Sequence, residues 1–323
     1  MITKNHQFCN YNLNNLIKKA NFCNFNFDLW FYSDILWYMN TYIIFVLLYA
    51  TLIGFYNVFK KKATQTSNES VILVMFTFVC FLLAQVWIPF GVKIPLKFVG
   101  VFAFKGFLLA FSWFCLLKVL KTADMSLVSL TTVLSTVITF LIGIFYFNEI
   151  VTWIQIIGSV IIVAGAVMIN LINKKETSKT NVKQLLMLLA STLITSISNV
   201  IDKTTTNHLQ AHQVQFWFLL FVFIFSIMFF AIECFKHKKF LIQKSDLKNY
   251  WIYLVGLFLF CGDMFLFFSY RAVGSKMIII SVISKFKMVV SVLLGLVIFK
   301  EKNYLKKLLI CLLIFAGILM VSL

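Results

Sequence analysis

Lys285 and Lys287 stand near the middle of residues 281–301, a run apolar and long enough to cross a bilayer. An unpaired charge at that depth costs at least about 3 kcal/mol, so ionisable residues there mark a transport path or carry a buried partner. Asp263, in the preceding apolar run, comes to the depth of Lys285 if the two runs are antiparallel helices. We expect these two residues to form a buried ion pair. A purely structural pair locking the two helices is the plainer alternative. Two ammonium groups in one wall suit an anionic or zwitterionic ligand.

On one continuous helix Lys285 and Lys287 stand about 200° apart. They flank a stripe of small or polar residues, Ser281, Ser284, Met288, Ser291 and Gly295, at three-four spacing. The fourth apolar run repeats that stripe as Ser129, Thr132, Thr136, Thr139 and Gly143. Such residues either let helices approach closely or present hydroxyls to a wet cavity. Gln85, Lys105 and Asn199, with Asp202 beside the last, are further polar groups inside apolar runs. Counted from helix ends at 1.5 Å per residue, Gln85, Lys105, Asp263, Lys285 and Lys287 lie about 9 to 15 Å below the same surface, fit to line one vestibule. Lys105, two turns in, could instead snorkel along its aliphatic stem. The expected substrate-binding set is Lys285, Lys287, Asp263, Ser281, Ser284, Ser291, Lys105, Gln85, Asn199, Thr132 and Thr136.

These residues need a membrane to position them, and the composition supplies one. Of 323 residues, 61% are hydrophobic and only 12% charged, too few for the exterior of a water-soluble fold. The net charge of +18 does not imply nucleic acid, because the lysines sit in short clusters between apolar runs of membrane-crossing length. Cys80, Cys115, Cys234, Cys261 and Cys311 fall in or at the ends of those runs without metal-ligand spacing, and read as small hydrophobes. Residues 1–40 are an extension without clear period, disordered or interfacial, with no recognisable cleaved signal; Met39 is an alternative start.

Ten helices are expected, at 41–60, 70–91, 97–119, 125–147, 152–172, 183–203, 213–235, 250–270, 277–299 and 304–322. The breaks between them are too short for an extramembrane domain. A 152-residue shift lays Val137 on Val289, Gly143 on Gly295, Glu149 on Glu301, Ile162 on Ile314, Gly165 on Gly317 and Met168 on Met320. Asn57, Val58 and Lys61 likewise repeat as Asn199, Val200 and Lys203. Two five-helix repeats, 41–172 and 183–323 joined by a linker at 173–182, must be inverted because five is odd. Secondary transporters place their sites between such halves, near the midplane. Loops after odd-numbered helices carry eighteen lysines and those after even-numbered ones five cationic residues. That bias puts the odd loops in the cytoplasm.

The segments LSTVITFLIGIFYFNEIVTWIQIIGSVIIVAGAVMIN and SKFKMVVSVLLGLVIFKEKNYLKKLLICLLIFAGILMV resemble the two EamA-like domains of the drug/metabolite transporter superfamily. Each has an apolar helix, a Glu at the turn, then a helix with Gly near its end. The resemblance covers nearly all of the chain after Met39 and implies an exporter or exchanger of small metabolites working by alternating access. Lys285 stands where many bacterial EamA-like proteins have Lys or Arg. Lys287 matches a Lys of phosphate-sugar and nucleotide-sugar transporters, but Met288 stands where those continue with a polar residue, which weakens a phosphate-ester substrate.

Glu149 and Glu301 are expected to meet the dipole of the helix that follows each. His208 and His212 are read as solvated. A flippase for a lipid or lipid-linked group is the alternative function. An enzyme is not expected, since HExxH, GxSxG and paired intramembrane carboxylates are missing from the sequence. The resulting expectations are an all-α, multi-pass protein of the plasma (inner) membrane, a monomer or homodimer, with a small-molecule substrate and the lipid bilayer as partners. Neither a cofactor, a metal nor nucleic acid is expected.

Overall fold

The computed structural model describes residues 27–87, 93–122, 135, 137–173, 182–299 and 304–322. Residues Met1–Thr41 form one unit and Tyr42–Leu323 another. Every regular element among the described residues is helical: α1 (Phe27–Thr64), α2 (Glu69–Trp87), α3 (Leu96–Thr122), α4 (137–145), α5 (Trp153–Asn173), α6 (Val182–Thr206), α7 (Ala211–His237), α8 (Tyr250–Arg271), α9a (Met277–Ile283), α9b (Phe286–Phe299) and α10 (Tyr304–Ser322). Seven spans among these are long and apolar enough to cross a membrane, and α5 and α10 contribute shorter apolar stretches. This is the all-α, polytopic architecture expected from the apolar runs. Most helix ends lie within three residues of expectation; beyond that, α1 extends N-terminally to Phe27, and a single turn, Lys244–Leu247, precedes α8.

Local chemistry sets the helix ends. Thr152 and Gln155 form a reciprocal capping box at the start of α5, each backbone N–H donating to the other's side chain at 3.2 and 3.3 Å. Asn249 caps α8 by accepting from Trp251 N. Lys238, in the left-handed region at φ 51°, closes α7.

Contacts between loops follow their parity. Gln213 donates to Lys93 O, Arg271 to Leu209 O and Lys276 to Ile150 O, joining loops that follow even-numbered helices. Asn249 donates to Thr66 and Ser67, and Lys118 pairs with Glu233 at 2.7 Å, joining the ends of odd-numbered helices. The chain therefore alternates up and down, with an even-loop end and an odd-loop end.

Two apolar clusters hold the bundle. One gathers α2, α3, α7 and α8 around Phe76, Phe102, Leu219, Ile252 and Phe267. The other packs α9a, α9b and α10 with α5 around Ile162, Ile280, Ile283 and Ile314. At the α5–α10 contact the repeat becomes visible as symmetry. A Cβ on Gly165 would lie 2.6 Å from Ile314, and one on Gly317 would lie 2.8 Å from Ile162. Those pairs exchange under the 152-residue shift, so a pseudo-two-fold axis runs between α5 and α10.

Candidate functional site

Packing of α3 against α6 and α7 brings Lys105 and Asp202 together. Their ammonium and carboxylate form an ion pair with side chains 1% and 7% exposed. The ammonium also lies 3.9 Å from the centre of the Phe218 ring on α7 and 5.3 Å from that of Phe267 on α8. Two expectations are corrected here. Lys105 does not snorkel, because its side chain is buried with a carboxylate from α6 and rings from α7 and α8 against its ammonium. Among the described residues Lys105 pairs with Asp202, and Asp263 and Lys285 form no ion pair with each other; the partner came from α6, which no nearest-neighbour reading of the chain would select.

Asp263, on α8, is 8% exposed. Among the described residues no group donates a hydrogen bond to its carboxylate. Lys105, Asp202 and Lys287 are the charges whose fields reach it. Lys287, on α9b, is half-buried, with its ammonium 5.9 Å from the centre of the Tyr49 ring. Asp263 and Lys287 therefore feel each other without touching. Such an arrangement can receive a ligand's positive group at one end and its negative group at the other.

The ninth helix is broken beside these charges. In an unbroken helix Lys285 N would donate to Ser281 O. The Ser284 hydroxyl takes that carbonyl at 2.7 Å, and Lys285 N turns to Val282 O at 3.0 Å. Lys287 N and Met288 N follow suit, bonding Ser284 O and Lys285 O three residues back. This is serine back-bonding followed by a tighter turn. The expected continuous wheel thus becomes two half-helices that meet at Ser284 and Lys285, both buried.

The remaining expected residues divide. Ser281 is buried on α9a, one turn from the break. Ser291 gives its hydroxyl to Gly54 O and Lys287 O at 3.1 and 2.7 Å, so it serves the contact of α9b with α1. Gln85 and Asn199 are half-buried on α2 and α6, and among the described residues neither hydrogen-bonds to the charged groups. Thr132, Thr136 and Glu301 lie outside the described residues. Thr139, on the stripe that carries Thr132 and Thr136, is fully buried with its hydroxyl unpartnered. His208 is exposed, as expected, in a recess of about 470 Å³ lined also by Thr206, Gln213 and Arg271, one turn beyond Asp202.

Sequence reading missed one face of α1. Tyr42, Tyr49, Tyr56 and Lys60 fall on a single stripe, and the fields of Asp263 and Asp202 reach Tyr49. The Lys60 ammonium donates to the Tyr56 hydroxyl at 3.2 Å. The signal was present as tyrosines at seven-residue spacing in an otherwise apolar helix. Glu149 also differs from expectation. Its carboxylate accepts from Met277 N and Ile278 N, at 2.5 and 2.9 Å, and so caps α9a rather than α5. Thr152 already caps α5, which leaves Glu149 to reach across to the second repeat.

No group of three or more His, Cys, Asp or Glu side chains among the described residues could hold a metal ion. One solved crystal structure, described only as that of a protein, aligns over 85% of this chain and 98% of its own, with a TM-score of 0.63 and 18% identity. At that identity the likeness concerns the fold. No curated protein matches the chain. The profile of the EamA-like transporter family matches twice, over residues 40–171 and 182–323, and between them the two matches take in the α5–α10 contact and the broken ninth helix. The chain belongs to the EamA-like transporter family, whose members are membrane transporters of the drug/metabolite superfamily.

Proposed function

We propose that the chain is a secondary transporter, an exporter or exchanger, that moves a small zwitterionic or anionic metabolite by alternating access between its inverted repeats. The observation that carries this reading is the relation of Asp263 to Lys287: a buried carboxylate with no donor among the described residues, and a half-buried ammonium whose field reaches it without an ion pair between them. In an apolar bundle each is costly alone, and a ligand bearing both charges relieves both at once. Tyr49 supplies an aromatic wall beside the ammonium. The break at Ser284 and Lys285 supplies the discontinuous helix that transporters use at their sites, since it lets one half-helix swing against the other.

Residues 41–172 and 183–323 are the two moving halves in this reading. The lysine bias puts the odd-loop end in the cytoplasm and the even-loop end outside, in a plasma (inner) membrane.

The test is counterflow in proteoliposomes of purified protein, comparing small zwitterions, anions, cations and neutral solutes. Saturable exchange of a zwitterion or anion that vanishes in both D263N and K287M is the expected result. Exchange of cations alone would overturn the charge assignment. Lipid scrambling in the same vesicles without solute exchange would establish the flippase alternative instead.

A further inference from the structure

The even-loop end of the bundle is fastened across the two repeats. Glu149, in the turn after α4, holds the first two N–H groups of α9a. Beside it, Lys276 donates to Ile150 O at 2.7 Å, and Gly143 lies so close to Ile278 that a Cβ would come within 2.3 Å of that side chain. Within the second repeat, Lys203 donates to Tyr270 O at 3.2 Å and Ser275 O at 2.9 Å, which stiffens the loop leading into α9a. All seven residues of α9a are buried, and its far end is the Ser284–Lys285 break.

A short rigid segment is thus held at one end by the other repeat and hinged at the other end beside the charges. We infer that Glu149 is the latch that closes the even-loop end of the pathway, and that its release lets α9a pivot about Ser284 and Lys285 to open the site to that side. The inference rests on the transporter reading above. A carboxylate suits the role because its two oxygens satisfy two helix-end donors at once, yet both donors can turn to water when the latch opens. Lys276 and Ile150 add a second fastener that breaks in the same motion.

Thiol labelling in lipid nanodiscs, which expose both faces of the membrane, tests this without any solute. Cysteines introduced separately at Met277 and Ser281 are compared, with and without E149A, against the chain's own cysteines as background. The latch requires Ser281→Cys, one turn inside α9a, to label roughly tenfold faster when Glu149 is removed, the shift expected for loss of one helix cap. E149Q keeps an acceptor and should fall between E149A and the parent, which covers the case in which E149A does not fold. Faster labelling confined to Met277→Cys would mean fraying of the first turn and would overturn the latch, as would no change at either position. If the parent chain exchanges no solute in proteoliposomes, the transporter reading fails while the labelling result still stands. If E149A exchanges solute normally and labels no faster, the latch alone fails.

Discussion

The Lys105 ammonium closes on the Asp202 carboxylate with both side chains withdrawn from solvent, and two aromatic rings, Phe218 and Phe267, cover the ammonium. Charges enclosed in this way stabilise a fold only as a pair. Removing one partner leaves the other buried and uncompensated, at about 3 to 5 kcal/mol. K105M and D202N should therefore each lower the thermal midpoint of the detergent-purified protein strongly, and K105M/D202L should recover most of the loss. Single variants as stable as the parent would show that the pair does not hold α3 to α6.

Asp263 and Lys287 should behave in the opposite way. Neither makes a hydrogen bond or ion pair that the described fold depends on, so D263N and K287M are expected to abolish solute exchange while stability stays level or rises by about 1 kcal/mol. Thermal unfolding and counterflow on the same preparations separate the two effects. A large fall in stability for either variant would make its role structural.

Ser284 controls the break in the ninth helix. S284A frees Ser281 O to accept from Lys285 N again, and the helix should straighten. Exchange should fall at least severalfold without loss of folded protein, and amide protection at Lys285 should increase. Unchanged protection would mean that the break is imposed by packing rather than by the hydroxyl.

At its glycines the α5–α10 contact has no room for a side chain. A Cβ on Gly158 would sit 2.8 Å from Gly317 O, so G158L should destabilise by about 1 to 3 kcal/mol. Gly100 has nothing within 4 Å of its Cβ position, and G100A is expected to be neutral or stabilising by up to about 1 kcal/mol. Unfolding midpoints of the two variants give the comparison directly.

Lys93 and Lys239 are exposed at opposite ends of the bundle. Cysteines there should react with an impermeant reagent from opposite sides of intact cells, with Lys239→Cys protected. The reverse pattern would invert the orientation drawn from the lysine count.

Apolar run lengths, the 152-residue repeat and the Glu-to-Gly spacing were enough to read the helices and their up-and-down order, because crossing a bilayer constrains length and loop charge directly. The partners of buried charges were not legible in the same way. Asp202 lies 97 residues from Lys105, and only the packing of α3 on α6 joins them. The break at Ser284 escaped for a subtler reason. Ser281 and Ser284 were read as a polar face, which they are, but the hydroxyl's competition for a backbone carbonyl depends on a rotamer that sequence does not specify. Glu149 was placed at a helix N-terminus, yet the helix it serves is fixed by Thr152 and Gln155 occupying the nearer one.

The stripe on α1 has a mechanical consequence. Tyr42 and Tyr56, each 6% exposed, and Lys60 at 8% face inward, while Ile44 and Leu48 face outward at 53% and 41%. Fourteen residues separate the outer two phenols, about 21 Å of helix and most of the thickness of the hydrocarbon core. Turning α1 about its own axis would drive that whole seam, with an ammonium at its foot, into lipid. In the proposed transport cycle the first helix is therefore the stator: the moving parts travel past it, and a rigid label fixed to its lipid-facing side is expected to hold still while the ninth helix moves.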